Sequence, residues 1–250
     1  MRKSFSRILT LTGRNIKEIL RDPLSLVFTL GFPLLLEVLF YLIFHKITSQ
    51  FEMKYLAPGI VVFSQSFLTL FVGILLATDR NTSFLTRLYV SRAKSFEFVL
   101  AYALAIVPIV AVQSVLFFLV GGILDASIFS VGIVYAILMS FITSLFFVAT
   151  GILLGSIVNE KAVGGVASIV IAGQSILSGM WFPLDGLGKG VITFMNVLPF
   201  RNASQLMQHV MNGVEDAFYD FGLPLIIILA YTFVMFVLAV VVFRHKMKAK

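Results

Sequence analysis

Six uninterrupted apolar stretches, each long enough to cross a lipid bilayer, dominate this amino-acid sequence. The hydrocarbon core of a bilayer is about 30 Å thick, so a helix that rises about 1.5 Å per residue needs roughly 20 residues to cross it. The stretches that reach this length lie at residues 24–44, 56–78, 98–124, 131–158, 162–182 and 221–243. Little polar sequence is left to build a domain in water, so the fold must be sought in the membrane.

The composition favours helices over strands as the spanning elements. Hydrophobic residues make up 59% of the 250 residues and charged residues only 12%, against about 25% charged residues in a typical soluble protein. Strands of a membrane barrel would alternate apolar and polar side chains, whereas these stretches are apolar on every face. Helices also satisfy their own backbone hydrogen bonds in lipid. We therefore predict an all-α integral membrane protein with six transmembrane helices in a single transmembrane domain, residues 1–250.

The basic residues are distributed unevenly along the chain. Fifteen of the 19 Lys and Arg residues lie in residues 2–21, in residues 80–94, at Lys161 and in residues 244–250. All of these positions fall on one side of the membrane if the stretches cross it in turn, and cytoplasmic loops carry such an excess. We therefore predict a multi-pass protein of the cytoplasmic membrane with both termini in the cytoplasm. Basic residues that flank spans meet anionic lipid headgroups, so the net charge of +7 does not indicate a nucleic-acid partner.

Motifs for catalysis or metal binding are absent from the sequence. It contains no cysteine, and its three histidines, His45, His209 and His245, lack the spacing of a metal site. The patterns G-x-S-x-G, H-E-x-x-H and the phosphate-binding G-x-x-x-x-G-K-[ST] do not occur. We therefore expect no catalytic residue, metal or cofactor in this chain, and any ATP and Mg²⁺ would bind to a partner subunit.

The first 22 residues predict a helix of a different kind. Phe5, Ile8 and Ile16 recur at helical spacing among basic residues, a pattern typical of a helix that lies in the cytoplasmic headgroup layer. Packing on the protein's own spans is the alternative, and both can hold together. Asp22 and Pro23 end this helix, because the residue before a proline avoids helical geometry and proline suits the first turn of a new helix.

Residues 79–96 form the longest cytoplasmic connection and predict a short amphipathic helix. Leu85, Leu88 and Tyr89 fall one helical turn apart, with basic residues around them. An apolar side on a cytoplasmic helix can dock into the groove of a partner protein. A solvated linker that contacts lipid is the alternative.

Residues 183–220 form the longest predicted outside connection. They contain two moderately apolar, amphipathic patterns separated by proline, and neither reaches the roughly 20 residues that a crossing needs. We predict short re-entrant or outer helices in this segment, which dip into the outer leaflet or cover the spans.

Glu37 is the one ionisable residue deep in a predicted span. It lies roughly 20 Å from the cytoplasmic end by helical rise, where a carboxylate is costly and often functional. Either it faces a cavity and binds a cationic group or a proton, or it hydrogen-bonds within the bundle or reaches the outer headgroups. Gln65, Gln113 and Gln174 are possible neighbours.

Four short motifs occur in a characteristic order along the chain. LRDP at residues 20–23 ends the amphipathic helix, and DRNTSFLTRLYVSRAKSFEFVLAYAL follows the second span. SGMWFPLDGL follows the fifth span, and LPFRNASQLMQHVMNG comes shortly after it. Together they resemble the membrane subunit, or permease, of type-2 ABC exporters over nearly the whole chain. The sequence departs from the family pattern in lacking a proline in the cytoplasmic loop near Ser91 and a second proline soon after Pro183.

The resemblance implies an assembly and a mechanism. Two copies of the chain, or one copy and a related permease, would form a central path, and two separate cytoplasmic ABC ATPase subunits would bind beneath it. The substrate would be hydrophobic or amphipathic, such as a drug, lipid, glycolipid or peptide, and the cell membrane would be prokaryotic. A segment over residues 183–215 would form the outer lid.

The resemblance also implies which residues carry these roles. The coupling helix that the ATPases push would include Thr82, Leu85, Arg87, Leu88, Tyr89 and Arg92, with a lesser contact at Asn159 and Glu160. The cavity or gate would be lined by Phe32, Glu37, Phe40, Phe63, Phe67, Gln174 and Trp181.

Two other functions remain open on the sequence alone. A secondary transporter could use Glu37 to couple transport to protons, but we find no inverted repeat of the kind that such transporters show. A membrane-embedded scaffold for a partner protein is the second alternative.

Overall fold

A computed structural model of the protein describes residues 2–82, 95–182, 184 and 186–248, and the regular structure within these ranges is helical. We number the helices in chain order: α1 (Arg2–Leu20), α2 (Pro23–Phe44), α3 (Met53–Asn81), α4 (Ser95–Leu124), α5 (Val131–Ile157), α6 (Glu160–Leu177), α7 (Lys189–Val197), α8 (Pro199–Asn212) and α9 (Leu223–Lys248). A π-helical turn, Val27–Gly31, lies within α2, and a second, Ala217–Gly222, leads into α9.

Six helical segments of the described residues are long and apolar enough to cross a membrane: α2, α3, α4, α5, α6 and the segment Ala217–His245 that contains α9. The prediction of an all-α membrane protein with six transmembrane helices is confirmed. The fifth helix ends earlier than predicted, at Leu177, although the sequence remains apolar to residue 182. Gly179 follows with a φ of 72°, a left-handed conformation that suits glycine and ends helices.

The starts of α2 and α6 follow from their capping residues. The backbone N–H of Ser25 donates to Asp22 Oδ1 over 3.1 Å, and Pro23 occupies the first turn of α2. At α6, the backbone N–H of Ala162 donates to Asn159 Oδ1 over 2.9 Å. A side-chain oxygen before the first turn satisfies a backbone donor that the helix leaves unpaired. Both turns into the membrane are therefore encoded locally.

Helix α3 is the centre of the bundle. Every residue from 56 to 69 is buried, because α3 packs against α2, α4, α5, α6 and α8. By contrast, α2, α6 and α9 bury few of their residues within this single chain. Their exposed surface is available to lipid or to another protein chain.

Helices α3 and α5 run in parallel and approach each other closely at glycines. A Cβ atom on Gly151 would lie 2.7 Å from Thr69 O, and one on Gly155 would lie 2.5 Å from Gly73 O. Small residues at such positions allow two backbones to meet in a membrane. Further along the same interface, Gln65 Nε2 donates to the backbone carbonyl of residue 140 over 2.9 Å. The α3–α5 pair thus combines close packing with interhelical hydrogen bonds.

Helix α1 lies along α4. Ile8 and Ile19 are buried against the protein, while Phe5 and Leu9 are more than half exposed. One side of α1 therefore packs on the spans, which was one of the two interpretations of the sequence. The other side is free to contact lipid, as the other interpretation expects. We call the end of the bundle where α1 lies and α2 begins the α1 end, and the end where α2 finishes the opposite end.

Candidate functional site

Five aromatic side chains predicted to line a path lie together between α2, α3 and the segment after α6. The ring centroids of Phe63 and Phe67 on α3 are 5.5 Å apart, and that of Phe32 on α2 lies 6.0 Å from Phe67. Trp181 lies 5.5 Å from Phe63 and 4.7 Å from Phe40, edge to face in both cases. Such tilted contacts suit the charge distribution of aromatic rings. We call these five residues the aromatic cluster.

The aromatic cluster has a buried side and an open side. Phe63 and Phe67 are almost completely buried on α3, whereas Phe32 on α2 is 41% exposed. The cluster therefore forms an apolar face that begins in the core of the bundle and reaches its surface. Trp181 is also anchored, because its Nε1 donates to Ser175 Oγ over 2.9 Å.

Glu37 lies apart from hydrogen-bonding groups. Its side chain is fully buried, and neither carboxyl oxygen has a hydrogen-bond partner in the described part of the chain. It faces α4, where a Cβ atom on Gly121 would lie 3.2 Å from Glu37 Oε1, with Met53 and Ile128 beside it. The surroundings are apolar, so the charged form of the carboxyl group would be strongly disfavoured here.

The three glutamines suggested as neighbours of Glu37 form their bonds elsewhere. Gln65 accepts a hydrogen bond from Thr143 Oγ1 over 2.8 Å, and Gln113 Nε2 donates to the carbonyl of Thr29 over 3.2 Å. Gln174 Nε2 donates to Ser204 Oγ over 3.0 Å. Gln174 therefore joins α6 to α8 and does not belong to the aromatic cluster.

At the opposite end, side-chain amides fasten α8 to the start of α3, and the segment after α6 to the residues just before α3. Gln208 Nε2 donates to the carbonyl of Tyr55 over 3.1 Å, and Asn212 Nδ2 donates to that of Lys54 over 2.8 Å. Gln50 Nε2 donates to the carbonyl of Phe182 over 2.9 Å. Helix α8 also packs on α5 and α9. The bundle is thus covered at this end.

At the α1 end, two arginines of α1 bind two buried carboxylates. Arg7 Nη2 lies 2.8 Å from Glu97 Oε1, at the start of α4. Arg14 Nη2 lies 2.6 Å from Asp79 Oδ1, at the end of α3, and the hydroxyl of Tyr102 donates to the same carboxylate. Burial alone lowers the pKa of Arg14, but the hydrogen bond and charge of Asp79 outweigh it and raise that pKa.

These ion pairs were not anticipated from the sequence. The spacing of the two arginines could have indicated them. Arg7 and Arg14 are seven residues apart, and seven residues make about two helical turns, so both lie on one face of α1. The two acidic partners, Asp79 and Glu97, stand on either side of residues 83–94. Both ends of this connection are therefore tied to α1.

The predicted coupling residues Leu85, Arg87, Leu88, Tyr89 and Arg92 lie outside the described residues. Thr82, Asn159 and Glu160 lie within them, and all three are exposed at the α1 end.

Arg80 links the end of α3 to the connection between α5 and α6. Its Nη1 donates to the carbonyls of Gly155 and Val158 over 2.7 and 3.1 Å. The two connections that the resemblance assigns to ATPase contact therefore begin close to each other at the α1 end.

A comparison with known families completes these observations. The family model described as ABC-2 type transporter matches residues 6–212, which is most of the chain. The chain belongs to the ABC-2 type transporter family. The predicted resemblance is confirmed: the protein is a type-2 ABC transporter permease subunit, a multi-pass membrane component and not a catalytic ATPase domain. Permeases of this family pair with ABC ATPase subunits. A search of curated proteins found no match.

The family match extends over α1 and ends with α8. Helix α1 is therefore part of the permease domain, which agrees with its ion pairs to α3 and α4. Among the spans that the described residues form, the match omits α9, which packs against α5 and α8.

Proposed function

We propose that this permease is the membrane component of an ATP-driven exporter, in which two permease chains form a path and two ATPases supply the motion. The aromatic cluster is the observation that carries the proposal. It offers an apolar face of five rings, open on one side at Phe32. Such a face suits a hydrophobic or amphipathic substrate, for example a drug, lipid, glycolipid or peptide, better than a hydrated ion.

A second permease chain is supported by the exposed face of α6. Gly164, Gly165, Ser168 and Ala172 are exposed on it. A Cβ atom on either glycine would meet no atom of this chain within 4 Å, so contacts within the chain do not require these glycines. Small residues on an exposed membrane helix favour close approach of another helix. We assign this face to the contact between two permeases.

The dimer is testable by cysteine crosslinking, because the chain has no natural cysteine. We expect Ser168→Cys to form disulfide-linked dimers in membranes under mild oxidation. Val112→Cys is the control, since Val112 is 57% exposed on α4, away from α6. Equal crosslinking of the two variants would contradict the assignment. So would the absence of crosslinked dimers in Ser168→Cys when the second permease chain is present and intact.

Coupling to the ATPases is assigned to residues 82–92 with a second contact at Asn159 and Glu160. The support is their position, because Thr82, Asn159 and Glu160 are all exposed at the α1 end. Positive residues concentrate there too, which supports a cytoplasmic location for this end.

Co-expression with the candidate ATPases tests both the coupling contact and the dependence of transport on ATP hydrolysis. We expect ATPase activity to copurify with the permease and to fall in Leu85→Arg or Leu88→Arg. Val90→Arg makes the same kind of change where helical spacing predicts another face, and its activity should stay close to that of the unmodified protein. Transport that persists without any ATPase partner would overturn the exporter proposal.

A second candidate function, proton-coupled transport, is favoured by one observation. Glu37 is fully buried with no hydrogen-bond partner in the described residues, as a proton carrier between two states could be. Transport by Glu37→Gln distinguishes the two functions. An ATP-driven path retains transport in this variant, whereas a proton carrier loses it.

A further inference from the structure

We propose that a polar cavity around Arg201, at the opposite end of the bundle, binds an anionic group such as a phosphate. The cavity has a volume of about 440 Å³. Besides Arg201, its lining includes the amides and hydroxyls of Ser49, Gln50, Tyr55, Ser178, Gln205 and Gln208. The cavity lies between the start of α3, the segment after α6, and α8. It is separate from the aromatic cluster, none of whose residues lines it.

The guanidinium of Arg201 supplies the charge. Its Nε and Nη1 atoms are buried, and neither has a hydrogen-bond partner in the parts of the chain that the structure describes. Burial lowers the pKa of Arg201, but an arginine side chain remains protonated in proteins. A buried cation without a partner is costly. The Nη2 atom is not among these buried atoms, so an anion in the cavity can contact the guanidinium there and lower that cost by placing a negative charge beside it.

Asp220, which contacts the cavity residue His209, is engaged with other partners. Asp220 Oδ2 lies 3.5 Å from His209 Nδ1, and it accepts hydrogen bonds from the backbone N–H groups of Glu215 and Asp216 over 3.1 and 2.9 Å. No carboxylate is among the described residues that line the cavity. Within the described lining, the charge of Arg201 is therefore not balanced by a carboxylate.

The geometry indicates the chemical class of the ligand. A planar guanidinium binds phosphate or carboxylate through two parallel hydrogen bonds, and the surrounding amides and hydroxyls can bind the remaining oxygens or a polar headgroup. A water molecule occupies about 30 Å³, so the cavity is larger than a bare phosphate ion needs. The volume therefore admits an anionic group carried on a larger molecule, and we assign a phosphate group, either on the headgroup of an anionic lipid or on a soluble phosphate ester. The inference does not depend on the direction of transport.

Thermal unfolding of the purified full-length permease in neutral detergent tests the inference, with fluorescence of Trp181, the sole tryptophan, as the readout. One arm adds inorganic phosphate against chloride at equal ionic strength. The other adds phosphatidylglycerol against phosphatidylcholine. A ligand that binds only the folded state raises the unfolding temperature, so we expect phosphatidylglycerol or phosphate to raise it. A rise in the lipid arm alone identifies a lipid headgroup, and a rise in both identifies a phosphate site open to soluble ligands.

Variants at Arg201 separate binding from a structural role. We expect Arg201→Gln to abolish the rise, and Arg201→Lys, which keeps the charge but not the paired donors, to weaken binding roughly tenfold. Lys189→Gln removes an equal charge from an exposed position at the start of α7 and should keep the full rise. Without ligand, Arg201→Gln should be at least as stable as the unmodified protein, because it removes an unpaired buried charge.

Three results would overturn the inference. The first is an equal rise in Arg201→Gln and the unmodified protein. The second is no rise with either ligand. The third is that Arg201→Gln, measured without ligand, is less stable than the unmodified protein and that Asp185→Asn shows the same loss. Asp185, which lies outside the described residues, would then be the partner of the guanidinium within the chain.

Discussion

Arg7 on α1 holds Glu97 on α4 through two hydrogen bonds, from Nε to Oε2 over 3.0 Å and from Nη2 to Oε1 over 2.8 Å. One pair of side chains thereby joins residues 90 positions apart in the sequence. Arg14 makes the equivalent link to Asp79 at the end of α3. Because the two carboxylates flank residues 83–94, a force applied to that connection would also act on α1. Paired hydrogen bonds from arginine to carboxylate fix orientation as well as distance.

The first prediction concerns the Arg14–Asp79 pair. Asp79 is buried and also accepts a hydrogen bond from Tyr102, so Asp79→Asn removes the buried counter-charge of a partly buried guanidinium. We expect the free energy of unfolding to fall by about 2 kcal/mol, below the full penalty of a buried pair because Arg14 is partly exposed. Thermal unfolding of the purified protein measures the change.

Glu18→Gln provides the control for this prediction. Glu18 also contacts Arg14, over 3.1 Å, but its side chain is 48% exposed, and exposed ion pairs on a helix contribute about 0.5 kcal/mol or less. Equal losses of stability in Asp79→Asn and Glu18→Gln would show that the buried pair contributes no more to the free energy of unfolding than the exposed pair.

The second prediction concerns the contact between α3 and α5. A methyl group on Gly155 would meet the backbone carbonyl of Gly73, which cannot move aside as a side chain could. We expect Gly155→Ala to lower the free energy of unfolding by about 1–3 kcal/mol through overpacking. Gly13 on α1 is the control, because a methyl group there would meet no atom within 4 Å. Gly13→Ala should therefore be at least as stable as the unmodified protein. Similar losses in both variants would contradict the close-packing argument.

Features encoded locally were predictable from the sequence. The six spans follow from unbroken apolar runs, and the start of α2 follows from Asp22 and Pro23. The aromatic cluster was predictable in part for the same reason. Phe63 and Phe67 are four residues apart, and Phe32 and Phe40 are eight apart, so each pair lies on one face of its helix. The family resemblance then suggested that α2 and α3 would face each other.

Features that depend on contacts between distant segments were not predictable. Gln174 contacts Ser204 on α8 and not Glu37, because the tilt and rotation of packed helices decide which polar side chains meet. The early end of α6 was hidden by the apolar residues Met180 and Trp181, which extend the hydropathy pattern beyond the helix. Gly179 marks the break, but a glycine in an apolar run does not by itself end a membrane helix.

The third prediction concerns Glu37. Because neither carboxyl oxygen has a hydrogen-bond partner in the described residues, the uncharged and nearly isosteric Glu37→Gln should fold as stably as the unmodified protein, within about 1 kcal/mol. Glu37→Ala should be less stable by about 1–2 kcal/mol, because it leaves a cavity beside Met53 and Ile128. Thermal unfolding of both variants checks this order. A larger loss in Glu37→Gln than in Glu37→Ala would reveal a charge-dependent partner.

The last prediction uses Trp181 as a reporter of the aromatic cluster. It is the only tryptophan of the chain, and its ring lies 4.7 Å from that of Phe40. Phe40→Ala removes this edge-to-face contact, so we expect Trp181 to become more mobile and more accessible to water. Fluorescence anisotropy should fall and quenching by acrylamide should increase.

Phe233→Ala is the matched control, because Phe233 is 70% exposed on α9 and the structure gives it no ring contact among the described residues. If Phe233→Ala changed the emission as much as Phe40→Ala, global loosening of the bundle would explain both effects, and the cluster would not be the rigid apolar face on which the proposed path depends.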